Sequence, residues 1–451
     1  MSSIIKLKKG LNIPLKGAAE KVLVKAPPPA SIFVKPTDFR GLTPKLLVKE
    51  GDLVAAGTPI FADKNRPRIL VTAPVGGTVG AIVRGEKRKI MEIRIDCDHS
   101  LTPVSFATGK AEELTREQIV HTLLLSGCWP YLIQRPYGIV ANPEQTPKAI
   151  FVSAFDSAPL APDLDFVLEG RQEMLQRGID VLNKLLPGGV YWNIHSRTPD
   201  TGATRQVKNV HLHEFEGKHP VGNVGVQIHH IAPISKGEVV WTIDPQAVVI
   251  IGRLFATGVL DSDKIVALTG PAAQRPCYLS LLPGTPLNSL SKVGLSDNKV
   301  RYISGNCLTG DDVGHHGSLG FYHQQITLLP DGDHQEFLGW AKPLRPKTFS
   351  VSRTYLSWLT PKKRYALDTN TNGGLRAFVL SDVYDKVLPM DIYPVYLLKA
   401  ILAKDIDKME ALGIYEVIEE DFALCEFVCP SKIEIQEIIA QGIDMMIKEM
   451  S

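Results

Sequence analysis

Long apolar runs are missing from this sequence. Nowhere do its 451 residues approach the ~20 consecutive apolar residues that a membrane-crossing helix needs, and the N-terminus shows neither an h-region nor a small-residue cleavage site. A cytosolic or peripheral location is therefore expected. A charge excess is missing too. Fifty Lys and Arg stand against 48 Asp and Glu, a net charge of +2, which is no nucleic-acid-sized basic footprint. Cysteine is sparse: Cys97, Cys128, Cys277, Cys307, Cys425 and Cys429 are scattered, which argues for reduced thiols rather than a disulfide framework. Also absent are a Walker A sequence and a Gly-x-Gly-x-x-Gly turn after a strand, so no phosphate cradle is legible. The remaining composition is that of a globular chain too long for one core, and about three or four domains are expected.

The organising stretch is Gly217 to Gly258. A His-, Gly- and Pro-rich loop (Gly-Lys-His-Pro-Val-Gly-Asn-Val-Gly-Val-Gln-Ile-His-His-Ile) leads into a strand-like Glu238 to Ile243. Asp244 is a good N-cap, Pro245 suits a first helical turn, and Ala247, Val248, Ile250, Ile251, Leu254 and Phe255 form an apolar stripe ending at Gly258. The apolar run Lys264 to Leu268 follows, so the spacing predicts strand, helix, strand as one unit of a parallel sheet. A second such unit is predicted upstream: strand Ala149 to Ser153, a helix opened by Asp163 or Asp165 with the stripe Leu168, Leu175, Ile179, Leu182, Leu186, then strand Val190 to Ile194. Residues Glu113 to Leu125 have helical spacing. Gln134 to Pro147 read as a Pro-rich connection.

Before this α/β region, Val48 to Ile60 and Ile69 to Val79 resemble the barrel-sandwich fold of biotinyl and lipoyl carrier domains, with glycine turns and alternating apolar residues. Their tip, Asp63-Lys64-Asn65-Arg66-Pro67, lacks the Met-Lys-Met of biotinyl domains, and Lys64 reads as a solvated turn residue. The basic run Arg84 to Lys89 reads the same way. After the α/β region, Pro283 to Leu287 with Val300 to Gly310 resembles the soluble-ligand-binding β-grasp (SLBB) domain of several respiratory subunits. Gly310, Gly314, Gly317 and Gly320 read as turns. From about residue 376 the chain is helical, with Ile435, Ile439, Ile443, Met446 and Met450 on one face of a terminal helix.

Near the end stands Cys425-Glu426-Phe427-Val428-Cys429-Pro430, half of the spacing by which ferredoxin-type tails wrap thiolates around a cluster. Glu419 and Phe422 occupy the other two positions, so the tail reads as a vestigial cluster motif that binds no metal. Barrel-sandwich start, central α/β domain, β-grasp appendage and half-erased tail follow in an order that resembles the NqrA family, the A subunits of the Na⁺-translocating NADH:quinone reductase. That family is related to the C subunit of the Rnf complex, as well as to the flavin-binding subunit of complex I. Ile4 to Pro14 and the block Gly217 to His229 add to the likeness. The expected fold class is α/β and β multidomain: barrel-sandwich hybrid 1–100, Rossmann-like α/β domain 101–257, SLBB-like β-grasp domain 258–330, an irregular connection 331–375, and a helical, degenerate ferredoxin-like tail 376–451. The resemblance implies a peripheral subunit on the cytoplasmic face of the cell membrane. Its partners are the other subunits, integral membrane ones included, and it contributes to ubiquinone or menaquinone reduction and to assembly. It also implies no cofactor on this chain: NAD(H), FMN or FAD, Fe–S and Na⁺ belong to partner subunits, and quinone is the substrate. The rivals are an independent flavin-dependent NADH dehydrogenase and a scaffold that binds no quinone.

No catalytic residue is assigned. His211, His213, His219, His229 and His230 are dense enough to raise a metal hypothesis, since His-x-His on a strand shares one face, but Glu214 would point the other way. Structural or solvated histidines are the simpler reading. As quinone contacts, able to hydrogen-bond a carbonyl and to move a proton, the candidates are His219, His229 and His230. Thr201-Gly202-Ala203-Thr204 resembles the short sequence at which partner subunits carry FMN on threonine; here Thr204 reads as part of a loop.

Overall fold

A computed structural model describes residues 4–290, 299–334, 345, 347–353, 355–379 and 381–450, with the backbone alone for Leu356 and Met450. The N-terminal sandwich forms as its turns and alternation dictate. One antiparallel sheet runs in the order Ser31–Val34, Ile90–Cys97, Gly77–Arg84, Leu53–Val54, and a second in the order Pro44–Leu46, Pro59–Asp63, Leu70–Thr72. Ile32, Ile60, Phe61, Ile69, Ile93 and Ile95 fill the space between them. The tip is closed by buried Asp63, which accepts from Thr43 N, Asn65 N and Arg66 Nε at 3.0, 3.3 and 3.0 Å, and leaves Lys64 exposed.

The central sheet has seven strands in the order Ile5–Lys6, His211–Glu216, Val190–His195, Ile150–Ser153, Val240–Thr242, Ile133–Arg135, Ile139–Val140. The first five are mutually parallel, Ile133–Arg135 runs antiparallel to Val240–Thr242, and Ile139–Val140 runs antiparallel to Ile133–Arg135. Ile150–Ser153 and Val190–His195 pair in parallel, as their predicted unit requires, although the helix between them is broken. Gly170, at φ 74°, separates Leu164–Leu168 from Gln172–Asn183, because that left-handed turn cannot lie inside a helix. Asp163 does cap the first piece, accepting from Phe166 N.

Three expectations need correction. The predicted unit around residues 238–268 does not form in one sheet: Val240–Thr242 lies in the central sheet and Lys264–Thr269 in a six-stranded one. The edge where Lys264–Thr269 would have paired is already taken by Ile133–Arg135, which overlaps the start of the proline-rich connection read at Gln134 to Pro147. Helix Pro245–Thr257, capped by Asp244 and by Gly258 at φ 74°, therefore carries the chain from sheet to sheet. Second, the opening residues do not stay with the sandwich: Ile5–Lys6 extends the central sheet and Leu23–Val24 the six-stranded one. Third, the stretch after Asn223, whose glycines and histidines suggested a loop, is the helix Val224–Ile231.

The six-stranded sheet runs Asp311–Asp312, Val300–Ser304, Gln325–Pro330, Lys264–Thr269, Cys277–Leu281, Leu23–Val24. The C-terminal part packs helices Pro394–Leu402, Ile406–Ala411, Ala423–Val428 and Ile435–Met450 around a core of its own. Ile435, Ile439, Ile443 and Met446 are fully buried there; the side chain of Met450, last of that stripe, lies outside the described residues. Among the described residues no helix is long and apolar enough to cross a membrane.

Candidate functional site

In open α/β sheets the ligand crevice lies outside the carboxyl ends of the strands. Here that crevice is filled by the chain itself. Ile150–Ser153 ends in the turn 154–159, and residues 217–223 fold down onto it. Ser153 Oγ lies 2.8 and 2.9 Å from the carbonyls of Phe155 and Gly222 and accepts from Gln227 Nε2 at 2.8 Å. Gln227 also takes a hydrogen bond from Asn193 Nδ2 (2.8 Å) and donates to the Val221 carbonyl. Gly222 N donates to Ser157 Oγ (2.8 Å), whose hydroxyl lies 3.0 Å from His219 Nδ1, and His219 N donates to Asn12 Oδ1. Any Cβ at position 222 would fall 2.6 Å from Ser157 N, so glycine is what lets the two segments meet.

His219 is 4% exposed, and burial lowers its pKa to about 4. The unfolded ring takes a proton near its ordinary 6.5. Between those values unfolding therefore takes up a proton, and stability, complete above 6.5, falls as the pH is lowered toward 4. Half-buried His323, bonded to Ser304 and lowered to about 4 by desolvation as well, acts in the same direction. His219→Asn is thus expected to make the acid limb of stability between pH 6.5 and 4 shallower, leaving at pH 8 only the pH-independent cost of the smaller buried side chain. Urea midpoints across that range measure this; an unchanged limb would show that the ring titrates normally.

Helix Val224–Ile231 clasps the C-terminal helices. Asn223 Nδ2 donates to the Glu420 carbonyl, His229 Nδ1 lies 2.7 Å from Glu416 Oε2, and His230 Nε2 donates to the Pro389 carbonyl at 2.8 Å. His229 Nε2 accepts from Asp391 N, which puts the ring proton on Nδ1, facing Glu416. Both nitrogens of His229 are consequently engaged within the protein. At the centre of the clasp is Arg135, 2% exposed, with Nη1 3.1 Å from Asp421 Oδ2 and Nη2 2.5 Å from Glu420 Oε1. A Cβ on Gly225 would strike Asp421 Oδ1 at 2.6 Å, so this glycine admits the ion pair. Arg40 adds a bond to Glu419 and one of 3.3 Å to Asp444.

The four vestigial cluster positions do not form a donor set. Glu419 is turned to Arg40, the Phe422 ring is wholly buried in the helical core, and Cys429 Sγ sits 3.0 Å from Tyr384 Oη. Burial pushes the Cys425 thiol far above its ordinary value, the opposite of what a thiolate ligand needs. A four-iron cluster does not fit these side chains. His211 and His213 do share a face, both lying against Tyr191 at 4.8 and 5.6 Å, while Glu214 pairs with Arg205. Among the described residues no group of three His, Cys, Asp or Glu is placed to hold a metal ion. Thr204, 1% exposed, donates to Asp165 Oδ1 at 2.7 Å.

Two features escaped the sequence reading. Arg135 stands in an unremarkable Ile-Gln-Arg-Pro at the start of what reads as a Pro-rich connection, and no local signal marks it. Lys264, fully buried, headed an apolar strand. Its Nζ donates to the Phe321 carbonyl (2.6 Å) and lies 5.2 and 5.5 Å from the Tyr131 and Phe321 ring centres. Burial lowers its pKa to about 8, against the pull of Asp244 and Asp38. A narrow cavity of about 30 Å³ adjoins it, lined by Phe39, Tyr131, Ser262 and Phe321 among others, where sandwich, central domain and six-stranded sheet meet.

Residues 5–98 match the NqrA N-terminal barrel-sandwich hybrid domain, residues 114–260 the NqrA second alpha/beta domain, and residues 265–314 the NQRA C-terminal domain. The chain belongs to the NqrA family. Members are similar from end to end. The A subunit of the Na(+)-translocating NADH-quinone reductase of Yersinia pestis bv. Antiqua (strain Angola) is 38% identical over 440 residues, covering 97% of this chain and 98% of the relative. The protein of the same name from Rhodopirellula baltica is 37% identical over 99% of both chains. That from Neisseria meningitidis serogroup A is 36% identical over 99% of this chain and 100% of the relative. Among solved structures, an NAD⁺-reducing [NiFe]-hydrogenase superposes at a TM-score of 0.38 and 11% identity over 76% of this chain and 62% of that one, a level from which nothing about function follows.

Proposed function

We propose that the chain is the peripheral A subunit of a Na⁺-translocating NADH:quinone oxidoreductase. It works on the cytoplasmic face of the membrane, contributes to quinone reduction and to assembly with integral membrane subunits, and carries neither flavin nor iron–sulfur cluster. The single observation that carries this is the end-to-end match to relatives of that name. The inward-turned Cys425 and Cys429 and the filled crevice above Ser153 support the absence of a redox centre. In this reading the central domain is Rossmann-like, the domain around the six-stranded sheet is a β-grasp of the SLBB kind, and the tail is a degenerate ferredoxin. The domain limits are those expected from the sequence, save that the first strands are lent to neighbours. FMN, NAD(H) and Na⁺ fall to partner subunits. His219, His229 and His230 are the quinone-contact candidates.

The purified chain is expected to be colourless and iron-free, and the complex carrying Cys425→Ser with Cys429→Ser is expected to keep its NADH:quinone activity. Flavin absorbance near ~450 nm at one per chain, or stoichiometric iron, would overturn the reading. The scaffold alternative is favoured by one observation, the complete engagement of His229. A quinone analogue that slows amide exchange in residues 218–231 would reject it.

A further inference from the structure

From Phe337 to Leu367 the sequence holds seven basic residues, Lys342, Arg345, Lys347, Arg353, Lys362, Lys363 and Arg364, and no Asp or Glu. This segment is therefore +7, and because the whole chain is +2, the remainder is −5. Such a block of like charge is the kind that serves as an interaction segment, and the described residues include Arg345, Lys347, Arg353 and Lys362 to Arg364. Its described part also exposes apolar side chains. Trp358 and Leu359 are 52% and 57% exposed on the single-turn helix Leu356–Leu359, and Val351 is 45% exposed. The exposed run Pro361, Lys362, Lys363, Arg364 follows directly.

The face has a fixed base. Tyr365, 3% exposed, donates from its amide to the Pro14 carbonyl at 2.8 Å, and its own carbonyl accepts from Lys16 N at 2.9 Å. Exposed Lys16 is thereby held beside the basic run. We propose that Trp358 and Leu359, flanked by Lys16, Arg353, Lys362 and Arg364, dock on the anionic headgroup surface of a lipid bilayer. The charge complementarity is with phosphate. An indole is among the side chains best suited to the boundary between headgroups and acyl chains, and Lys and Arg can lay their stems along that boundary while their charges reach phosphates. The inference rests on the proposed function only in that a subunit of a Na⁺-translocating complex works beside a membrane.

The test is sedimentation of the full-length chain with vesicles of phosphatidylglycerol and phosphatidylcholine, compared with phosphatidylcholine alone. Binding is expected only to the anionic vesicles and should fade as salt rises. At roughly fivefold per basic residue, Lys362→Ala with Arg364→Ala should weaken partitioning on the order of 30-fold, and Trp358→Ser should weaken it further. No binding to anionic vesicles, or equal binding to both kinds, overturns the proposal, and the salt series needs no variant that could misfold. Co-isolation with the membrane subunits in neutral detergent separates the alternatives. Retention of the variants supports a lipid contact, whereas their loss means that the face meets an acidic protein surface and overturns it. Failure of the wild-type chain to co-isolate would count against the proposed function, whatever the vesicles show.

Discussion

Arg135→Met is expected to loosen the C-terminal helices from the central sheet by about 3–5 kcal/mol. The guanidinium comes from the antiparallel strand Ile133–Arg135 and is 2% exposed; Asp421, which faces it, is 1% exposed. As a pair they have exchanged hydration for two charge-assisted bonds, at 3.1 Å to Asp421 and 2.5 Å to Glu420, and their net contribution is modest. Removing one member is different, because a carboxylate is then left in a joint that water does not reach. Asp421 Oδ2 retains one donor, Ile418 N at 2.9 Å, too little to offset the lost cation. The exposed pairs of the same joint, such as Lys236 with Glu410, are worth no more than about 1 kcal/mol and cannot compensate. Adding Asp421→Asn to Arg135→Met should recover much of the loss by removing the stranded charge. A chain of several domains does not unfold in one step, so the effect is best read as the rate at which protease releases residues 381–450. A change below about threefold in that rate would mean that the joint is held by its apolar contacts and that the ion pair is incidental.

Where the sequence reading succeeded, local chemistry and the final fold agreed. Asp244, Pro245 and Gly258 bound a helix because the cap, the first-turn proline and the left-handed glycine each act within a few residues. The same holds for the helix Arg116–Ser126, where Thr115 and Gln118 form a reciprocal cap and Gly127 ends the run. Failures occurred where partners are distant. No local signal says that Ile133–Arg135 will occupy the edge of Val240–Thr242, and that occupation sends Lys264–Thr269 into another sheet. The histidines show the same limit at the site. Their density between 211 and 230 was plain, but their partners Ser157, Glu416 and Pro389 lie 62, 187 and 159 residues away. Cys425 and Cys429 were legible because the cluster motif is local; that their thiols face a buried Tyr384 was not.

Gly252→Ala carries the second large expectation and runs against helix propensity. Gly252 lies within the apolar stripe of Pro245–Thr257, where alanine would be favoured by about 1 kcal/mol if the helix stood alone. It does not stand alone. A Cβ at 252 would lie 1.8 Å from the Met174 carbonyl oxygen, and one at Gly178 would lie 2.1 Å from the Val248 carbonyl oxygen. Helices Gln172–Asn183 and Pro245–Thr257 thus touch backbone to backbone through one glycine from each. A carbonyl cannot rotate aside as a side chain can, so one added methyl must push the helices apart and loosen Leu175, Ile179, Val248 and Ile251 together. Overpacking of this kind costs about 3 kcal/mol at the upper end of its usual range, which exceeds the propensity gain. Gly442→Ala is the control. It too sits in a helix, Ile435–Met450, but its Cβ would meet the Cδ1 and Cγ1 atoms of the Ile401 side chain at 2.8 Å rather than a backbone carbonyl, so a smaller loss, about 1 kcal/mol, is expected. The two variants are compared by the thermal midpoint of the transition that exposes Trp192 and Trp241, both buried in the central domain. If Gly252→Ala melts no lower than Gly442→Ala, the two helices do not pack through their glycines.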